Sequence, residues 1–175
     1  DVQALIKSSD EVNYDFEILK AVEKVNANQK LHLVEKIKSY YKGNIQGKHF
    51  ALWGLAFKPN TDDIREAPAL SIIEALTSLG ATIMAYDPEA MSNVKAQIGD
   101  TISYADSQYH ALENADALII ATEWSEFRTP DFERLDQTIK HKVVFDGRNL
   151  FDVVKMKDMG YHYESIGRLK SKFNE

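Results

Sequence analysis

The sequence contains no cysteine among its 175 residues. Disulfide bonds, thiolate metal sites and a cysteine nucleophile are therefore excluded for the chain as given. The five histidines are scattered, without the short spacing that a zinc-binding motif shows, so no metal site is predicted. The cytoplasm is the default location that this composition suggests.

Long apolar runs and blocks of basic residues are also missing. No run approaches the roughly 20 apolar residues that cross a bilayer, and nothing near the start is typical of a signal peptide. The formal net charge is −6. Because nucleic-acid surfaces need clustered Lys and Arg, a general nucleic-acid interface is disfavoured, although a local basic pocket is compatible with this charge. We therefore expect a globular protein that binds neither membranes nor nucleic acid.

Glycine and proline do not occur between residues 1 and 42. Apolar residues recur there at steps of three or four, with a gap at Gln29, as in a helix: Ile18, Val22, Val25, Leu33 and Ile37. The pattern predicts a helix of roughly 25 residues, about 38 Å long, ending at Lys42-Gly43. Its length suggests a spine that joins domains or packs on a second subunit; an exposed helix without a partner is the alternative.

After Gly47, apolar runs of strand length alternate with helical segments. Strands are predicted over 49–56, 81–87, 117–122, 142–146 and 161–165, and helices over 68–78, 88–97, 107–114, 130–140 and 149–159. Asp87 and Thr129, each before a proline, are predicted helix caps. The nearly continuous apolar strands predict a parallel sheet with helices on both faces, an α/β, Rossmann-like fold preceded by the long helix.

The loop "GLAFKPNTDDIREAP", residues 54–68, follows the first predicted strand. It lacks both the G-x-G-x-x-G fingerprint and a Walker motif, so a phosphate would need side chains such as Lys58. In a doubly wound sheet this loop should lie beside the polar segments "DPE", "TEWSEFRTP" and "DGRN" at the carboxyl ends of the strands. The alternative is that Lys58 and Arg65 only pair with the neighbouring carboxylates on the surface.

Several segments together resemble the UDP-glucose/GDP-mannose dehydrogenase family, and within it the UDP-glucose enzymes. They are the loop above, "ATEWSEFR", "VVFDGRNLFD" and "YHYESIGR", while the opening "DVQALIK" resembles the residues that follow the family's catalytic C-F-P-K-D motif. The similarity extends from Asp1 to about Arg168. It implies a C-terminal fragment: residues 1–44 would end a central helical dimerisation domain, and residues 45–175 would form the UDP-sugar-binding domain.

The resemblance also implies a reaction. UDP-glucose is oxidised at C6 to UDP-glucuronate by two NAD⁺, through a thiohemiacetal and a thioester on a cysteine that precedes Asp1 in the family. NAD would be bound mainly by a further N-terminal domain, and a homodimer would form through the long helix. Without the cysteine and that domain, we expect the fragment to be inactive.

Site residues are carried over on the same resemblance. The substrate segment comprises Phe57, Lys58, Pro59, Asn60, Thr61, Asp62 and Asp63, with Lys58 in contact with the UDP-sugar, and Arg148 contacts substrate from the DGR loop. Arg65 resembles an arginine that reaches NAD, and Asp1 matches an aspartate that assists hydrolysis. Ala67 stands where many members have serine.

Two other functions stay open at this point. The chain could belong to a dehydrogenase of another UDP-sugar, such as UDP-N-acetylmannosamine, because glucose is inferred chiefly from "TEWSEFR". It could also be a non-catalytic module that binds a nucleotide or assists assembly.

Overall fold

The computed structural model describes residues 2–169. Its centre is a six-stranded parallel sheet in the order β3-β2-β1-β4-β5-β6. The strands are β1 (His49–Trp53), β2 (Thr82–Tyr86), β3 (Ser103–Tyr104), β4 (Ala117–Ile120), β5 (Val143–Asp146) and β6 (His162–Ser165). The strand order reverses between β1 and β4, which is where doubly wound folds bind ligands. The predicted α/β, Rossmann-like fold is confirmed.

Helices flank the sheet and precede it. They are α1 (Val2–Glu11), α2 (Glu17–Tyr40), α3 (Pro68–Ser78), α4 (Met91–Ile98), α5 (Ser125–Arg128), α6 (Phe132–Thr138) and α7 (Val153–Asp158), with a 3₁₀ helix at His110–Leu112. In the part of the chain that the structure describes, no helix is both long and apolar enough to cross a membrane.

The core lies along the central strands. Every residue of β4 and β5 is buried, as are the last four of β1, because helices cover both faces of a parallel sheet. Trp53 is fully buried at the end of β1, stacks on Phe127 and donates its indole N–H to the Gln108 carbonyl at 2.8 Å. Trp53 thereby packs the edge of the sheet at which the polar loops begin.

The predicted helix of roughly 25 residues is confirmed as α2, which has 24 residues. A separate helix, α1, precedes it; residues 12–16 divide the two, and Asn13 adopts a left-handed φ of 55°. The Tyr14 backbone N–H donates to the Ser9 carbonyl at 2.8 Å, which closes the end of α1. Asparagine performs here the helix-ending role usually taken by glycine, so a search for glycine and proline misses the break.

Several other predictions about the elements were wrong. The strand β3 and the helix α5 were not predicted, and the segment 107–114 forms only a short 3₁₀ helix. Thr129 caps no helix, because α6 begins after Asp131, whose carboxylate accepts from the Arg134 N–H at 3.1 Å. The helix α4 begins at Met91, so Asp87 lies one turn before it.

Candidate functional site

The predicted polar loops meet at the carboxyl edge of the sheet, and Asp87 is where three of them join. It is fully buried at the end of β2. Its Oδ2 accepts from the backbone N–H groups of Leu55 at 2.7 Å and Ala56 at 3.0 Å, and from the Trp124 indole at 2.9 Å. Its Oδ1 accepts from the backbone N–H groups of the following turn, those of Glu89 and Ala90. The loop after β1 is therefore anchored to the ends of β2 and β4.

Gly54 is required by a close approach of two backbones. Its φ is 91°, and a Cβ at this position would lie 2.5 Å from Cβ of Thr122. The Thr122 hydroxyl donates to the Ala56 carbonyl at 2.6 Å, which fastens the same two segments together. Any larger residue would force the loop away from β4.

This turn does not fit the pyrophosphate of a dinucleotide. Gly54 is followed by Leu55 and Ala56, which are both fully buried and direct their backbone N–H groups at Asp87. In a dinucleotide-binding domain, the acidic residue after the second strand instead accepts from a ribose hydroxyl. Both oxygens of Asp87 already accept protein donors, so NAD is not expected at this position.

The segment from Phe57 to Asp63 forms a closed loop. The Phe57 backbone N–H donates to the Asp63 carbonyl at 2.8 Å, and Asn60 at the tip has a φ of 61°. The Thr61 hydroxyl accepts from the Asp63 N–H at 3.2 Å. The Asn93 amide donates to the carbonyl of Asp62 at 2.9 Å, which ties the loop to α4. The predicted substrate segment is thus an ordered structural unit.

The two basic residues of this loop have different surroundings. Arg65 forms a bidentate ion pair with Asp63, at 2.9 Å from Nε and 2.7 Å from Nη2. The hydrogen bond from Arg65 lowers the pKa of Asp63 to about 2. Lys58 is exposed and makes no hydrogen bond or ion pair within residues 2–169, and its charge contributes to the lowered pKa of Asp63. Surface pairing therefore accounts for Arg65 in this structure, whereas the Lys58 ammonium is available to a ligand.

A cavity of about 460 Å³ opens between the N-terminal helices and the carboxyl ends of β4 and β5. Phe57 and Arg148 both line it, and Phe57 is 47% exposed. The helix α2 contributes polar side chains to the opposite wall: Glu23, Asn26, Gln29 and Lys30. Lys30 also pairs with Glu66, whose φ is 59°, so α2 is connected to the end of the loop. The cavity combines apolar side chains and an aromatic ring with cations, amides and two carboxylates, and such a mixed lining suits an organic ligand that carries polar groups.

Arg148 is held at this cavity from two sides. Its backbone N–H donates to Oδ1 of Asp146 at 2.8 Å, and its guanidinium forms a bidentate ion pair with Glu123, in which Nη2 lies 2.7 Å from Oε1. The hydrogen bond from Arg148 lowers the pKa of Glu123. Asp146 is fully buried, and its Oδ2 accepts from the Leu150 N–H at 2.7 Å and from the Tyr163 hydroxyl at 2.8 Å.

The structure divides the predicted site residues into groups. Phe57 and Arg148 share the cavity described above, whereas Thr61, Asp62, Asp63 and Arg65 line a shallower depression of about 610 Å³ beside Asn93. Lys58, Pro59 and Asn60 lie in the connecting loop and line neither. Asp1 lies outside the described residues. Within those residues, no cluster of three acidic, His or Cys side chains could hold a metal ion.

Sequence reasoning missed the side chains of α2 and the role of Glu123. The gap in the apolar pattern at Gln29 could have indicated this wall of the cavity, because a polar residue on the apolar face of a helix suggests that the face is solvated there. Glu123 gave no comparable signal, because its partner Arg148 is 25 residues away and the two meet only when β4 pairs with β5.

The sequence matches a known protein family. Residues 51–153 match the description "UDP-glucose/GDP-mannose dehydrogenase family, UDP binding domain". A UDP-glucose 6-dehydrogenase from Pseudomonas aeruginosa is 45% identical over 173 residues, which cover 96% of this chain and 38% of that protein. The chain therefore spans well under half the length of this curated relative.

Solved structures are similar as well. A UDP-glucose dehydrogenase from the archaeon Pyrobaculum islandicum superposes with a TM-score of 0.73 at 33% identity, covering 84% of this chain and 32% of that one. The UDP-N-acetyl-mannosamine dehydrogenase Cap5O from Staphylococcus aureus superposes with a TM-score of 0.65 at 25% identity, covering 89% and 34%.

Proposed function

Because the chain belongs to the UDP-glucose/GDP-mannose dehydrogenase family, we propose that it is the UDP-sugar-binding part of an NAD-dependent UDP-glucose 6-dehydrogenase. The whole enzyme would convert UDP-glucose, two NAD⁺ and water into UDP-glucuronate and two NADH, with release of protons. Residues 45–175 would form the binding domain, and residues 1–44 would end a central helical dimerisation domain.

The observation that carries the proposal is the cavity at the reversal of strand order, with Phe57 and Arg148 in its wall. Ligands of doubly wound folds bind at this edge. The Arg148 fork can bind phosphate oxygens. Lys58, which adjoins Phe57 in the loop after β1 but does not itself line the cavity, would add a point charge. The segment Phe57, Lys58, Pro59, Asn60, Thr61, Asp62 and Asp63 is proposed as the substrate loop.

Glucose is proposed over other sugars on the strength of the relatives. Among the solved structures, the Pyrobaculum UDP-glucose dehydrogenase is 33% identical to the chain, whereas the Staphylococcus UDP-N-acetyl-mannosamine dehydrogenase is 25% identical. The UDP-sugar named for the second enzyme is the alternative substrate.

In this proposal, the nucleophile and most of the NAD-binding site belong to parts of the enzyme outside the described residues. The turn after β1 does not fit a dinucleotide, so we propose that NAD is held mainly elsewhere in the enzyme, with Arg65 as one contact from this chain. Arg65 suits that role because its side chain is 87% exposed and its pairing with Asp63 leaves further N–H donors free. Asp1 is proposed to assist hydrolysis.

The first test is calorimetric titration of the chain with UDP, UDP-glucose and GDP. We expect saturable binding of the two uridine ligands, weakened by about 1–3 kcal/mol in Lys58→Ala, because a charge-assisted contact is lost. Lys157→Ala is the matched control, since Lys157 is exposed on α7, away from the cavity. Equal affinity for GDP and UDP, or an unchanged affinity in Lys58→Ala, would contradict the proposal.

A second test concerns activity. We expect the chain alone to form no NADH from UDP-glucose and NAD⁺, because it contains no cysteine and its Rossmann-like turn does not fit a dinucleotide. Absorbance at the NADH band measures this directly, with an intact family enzyme as the positive control. NADH formation that depends on UDP-glucose in the pure chain would overturn the assignment of the nucleophile.

A further inference from the structure

Glu123 lies where it can control the direction of Arg148. It follows β4 and Arg148 follows β5, and these strands are parallel neighbours in which Ile120 pairs with Asp146. Both residues therefore leave the same edge of the sheet side by side. Glu123 binds the guanidinium through Nε and Nη2, so it occupies one edge of the fork.

The rest of the fork is free for a ligand. A guanidinium has five N–H donors, of which the pair with Glu123 uses two, leaving one on Nη2 and two on Nη1. Arg148 lines the cavity, whereas Glu123 is absent from the described residues that line it. The pairing thus leaves donors of the guanidinium available at the cavity while its carboxylate partner stays outside.

The chain next to both members of the ion pair is held by hydrogen bonds to buried carboxyl groups. Asp146 binds the backbone N–H of Arg148 at 2.8 Å. Trp124, the residue after Glu123, is buried and donates its indole N–H to Asp87 at 2.9 Å. The ion pair therefore joins two loops that are each held by a buried carboxyl group. These bonds do not orient the guanidinium of Arg148, which is held by Glu123.

We propose that Glu123 is a positioning residue for the UDP-sugar, which holds one edge of the Arg148 guanidinium so that its remaining N–H donors meet the ligand's phosphate or sugar oxygens. This inference rests on the proposed function. In the opposite role, Glu123 would compete with the ligand, and Arg148 would have to break the ion pair before it could bind. The two roles predict changes of opposite sign in ligand affinity when the charge of Glu123 is removed. Removing the charge of a positioning residue weakens ligand binding, whereas removing a competitor strengthens it.

The test is a double-mutant cycle with UDP-glucose as the probe, measured by calorimetry on the chain. We expect Glu123→Gln to weaken binding about tenfold, as loss of a charge-assisted restraint does. In the Arg148→Ala background, the same substitution should change affinity less than about twofold, because Glu123 then has nothing to orient. Glu133→Gln is the matched control, since Glu133 is exposed on α6 and makes no contact with the site.

A ligand-free measurement separates this inference from the proposed function. In the NMR spectrum of the free chain, the Arg148 Nε–H should exchange slowly with water, and Glu123→Gln should accelerate that exchange at least fivefold. Unchanged exchange, tighter binding in Glu123→Gln, or an equal effect in the Arg148→Ala background would overturn the inference. Absence of UDP-glucose binding to the unsubstituted chain would count against the proposed function, and the exchange comparison would still decide the role of Glu123.

Discussion

At the scale of single residues, two buried carboxyl groups organise the ligand edge of the sheet. Asp87 directly follows β2 and Asp146 is the last residue of β5, and both are fully buried. Each accepts backbone N–H donors of loops that carry proposed ligand contacts. A carboxyl group offers two oxygens with several acceptor positions, so one side chain can satisfy a whole turn that leaves a strand. Neither residue lines the cavity, yet both determine where its walls lie.

The first residue-scale prediction is that Asp87→Asn lowers the free energy of unfolding by about 3 kcal/mol. In either orientation of the Asn side chain, its NH₂ group would face the N–H donors that one carboxylate oxygen now accepts. Those donors would stay buried without an acceptor. Urea denaturation followed by circular dichroism measures the change.

Asp158→Asn is the control for this substitution. Asp158 is exposed at the end of α7, and a surface substitution of this kind is expected to change stability by less than about 0.5 kcal/mol. If Asp87→Asn also cost less than about 1 kcal/mol, the carboxyl group would not be the anchor that the hydrogen bonds indicate.

At the scale of elements, the sequence predicted the buried strands well. Runs such as His49–Trp53 and Ala117–Ile120 are nearly all apolar because helices cover both faces, and that local signal needs no knowledge of the fold. The two-residue strand β3 has no period to detect, and its pairing with β2 depends on tertiary structure. The break after α1 depends on Asn13 in a left-handed conformation, which propensity alone does not indicate.

The candidate site could be predicted in part for the same reason. The loop of residues 54–68 and the DGRN segment are each continuous in sequence, so their polar residues are visible between apolar runs. The opposite wall of the cavity belongs to α2, far away along the chain, and only packing brings Gln29 and Lys30 there. Contacts between distant segments, such as Glu123 with Arg148, carry no local signature.

At the scale of the whole molecule, α2 extends beyond the domain that it packs against. Its 24 residues would span about 36 Å. Its buried residues, Leu33, Val34 and Ile37, all lie in the C-terminal half. In the N-terminal half, Ile18, Val22 and Val25 form a stripe at steps of four and three, with exposed fractions of 72%, 39% and 64%. An apolar stripe of this kind, unburied within residues 2–169, favours a protein partner.

The last prediction is that this stripe is the interface of a homodimer and that Val25→Asp dissociates it. A second copy related by a twofold axis would bring the same stripe against itself, and each dimer would then bury two unpaired charges. Sedimentation velocity over a range of concentrations should show a dimer for the unsubstituted chain and a dissociation constant raised at least tenfold for the variant. Val154→Asp is the matched control, because Val154 on α7 is 65% exposed and outside the stripe. A monomer at every concentration, or equal effects of the two substitutions, would assign the exposed half of α2 to a contact other than a second copy.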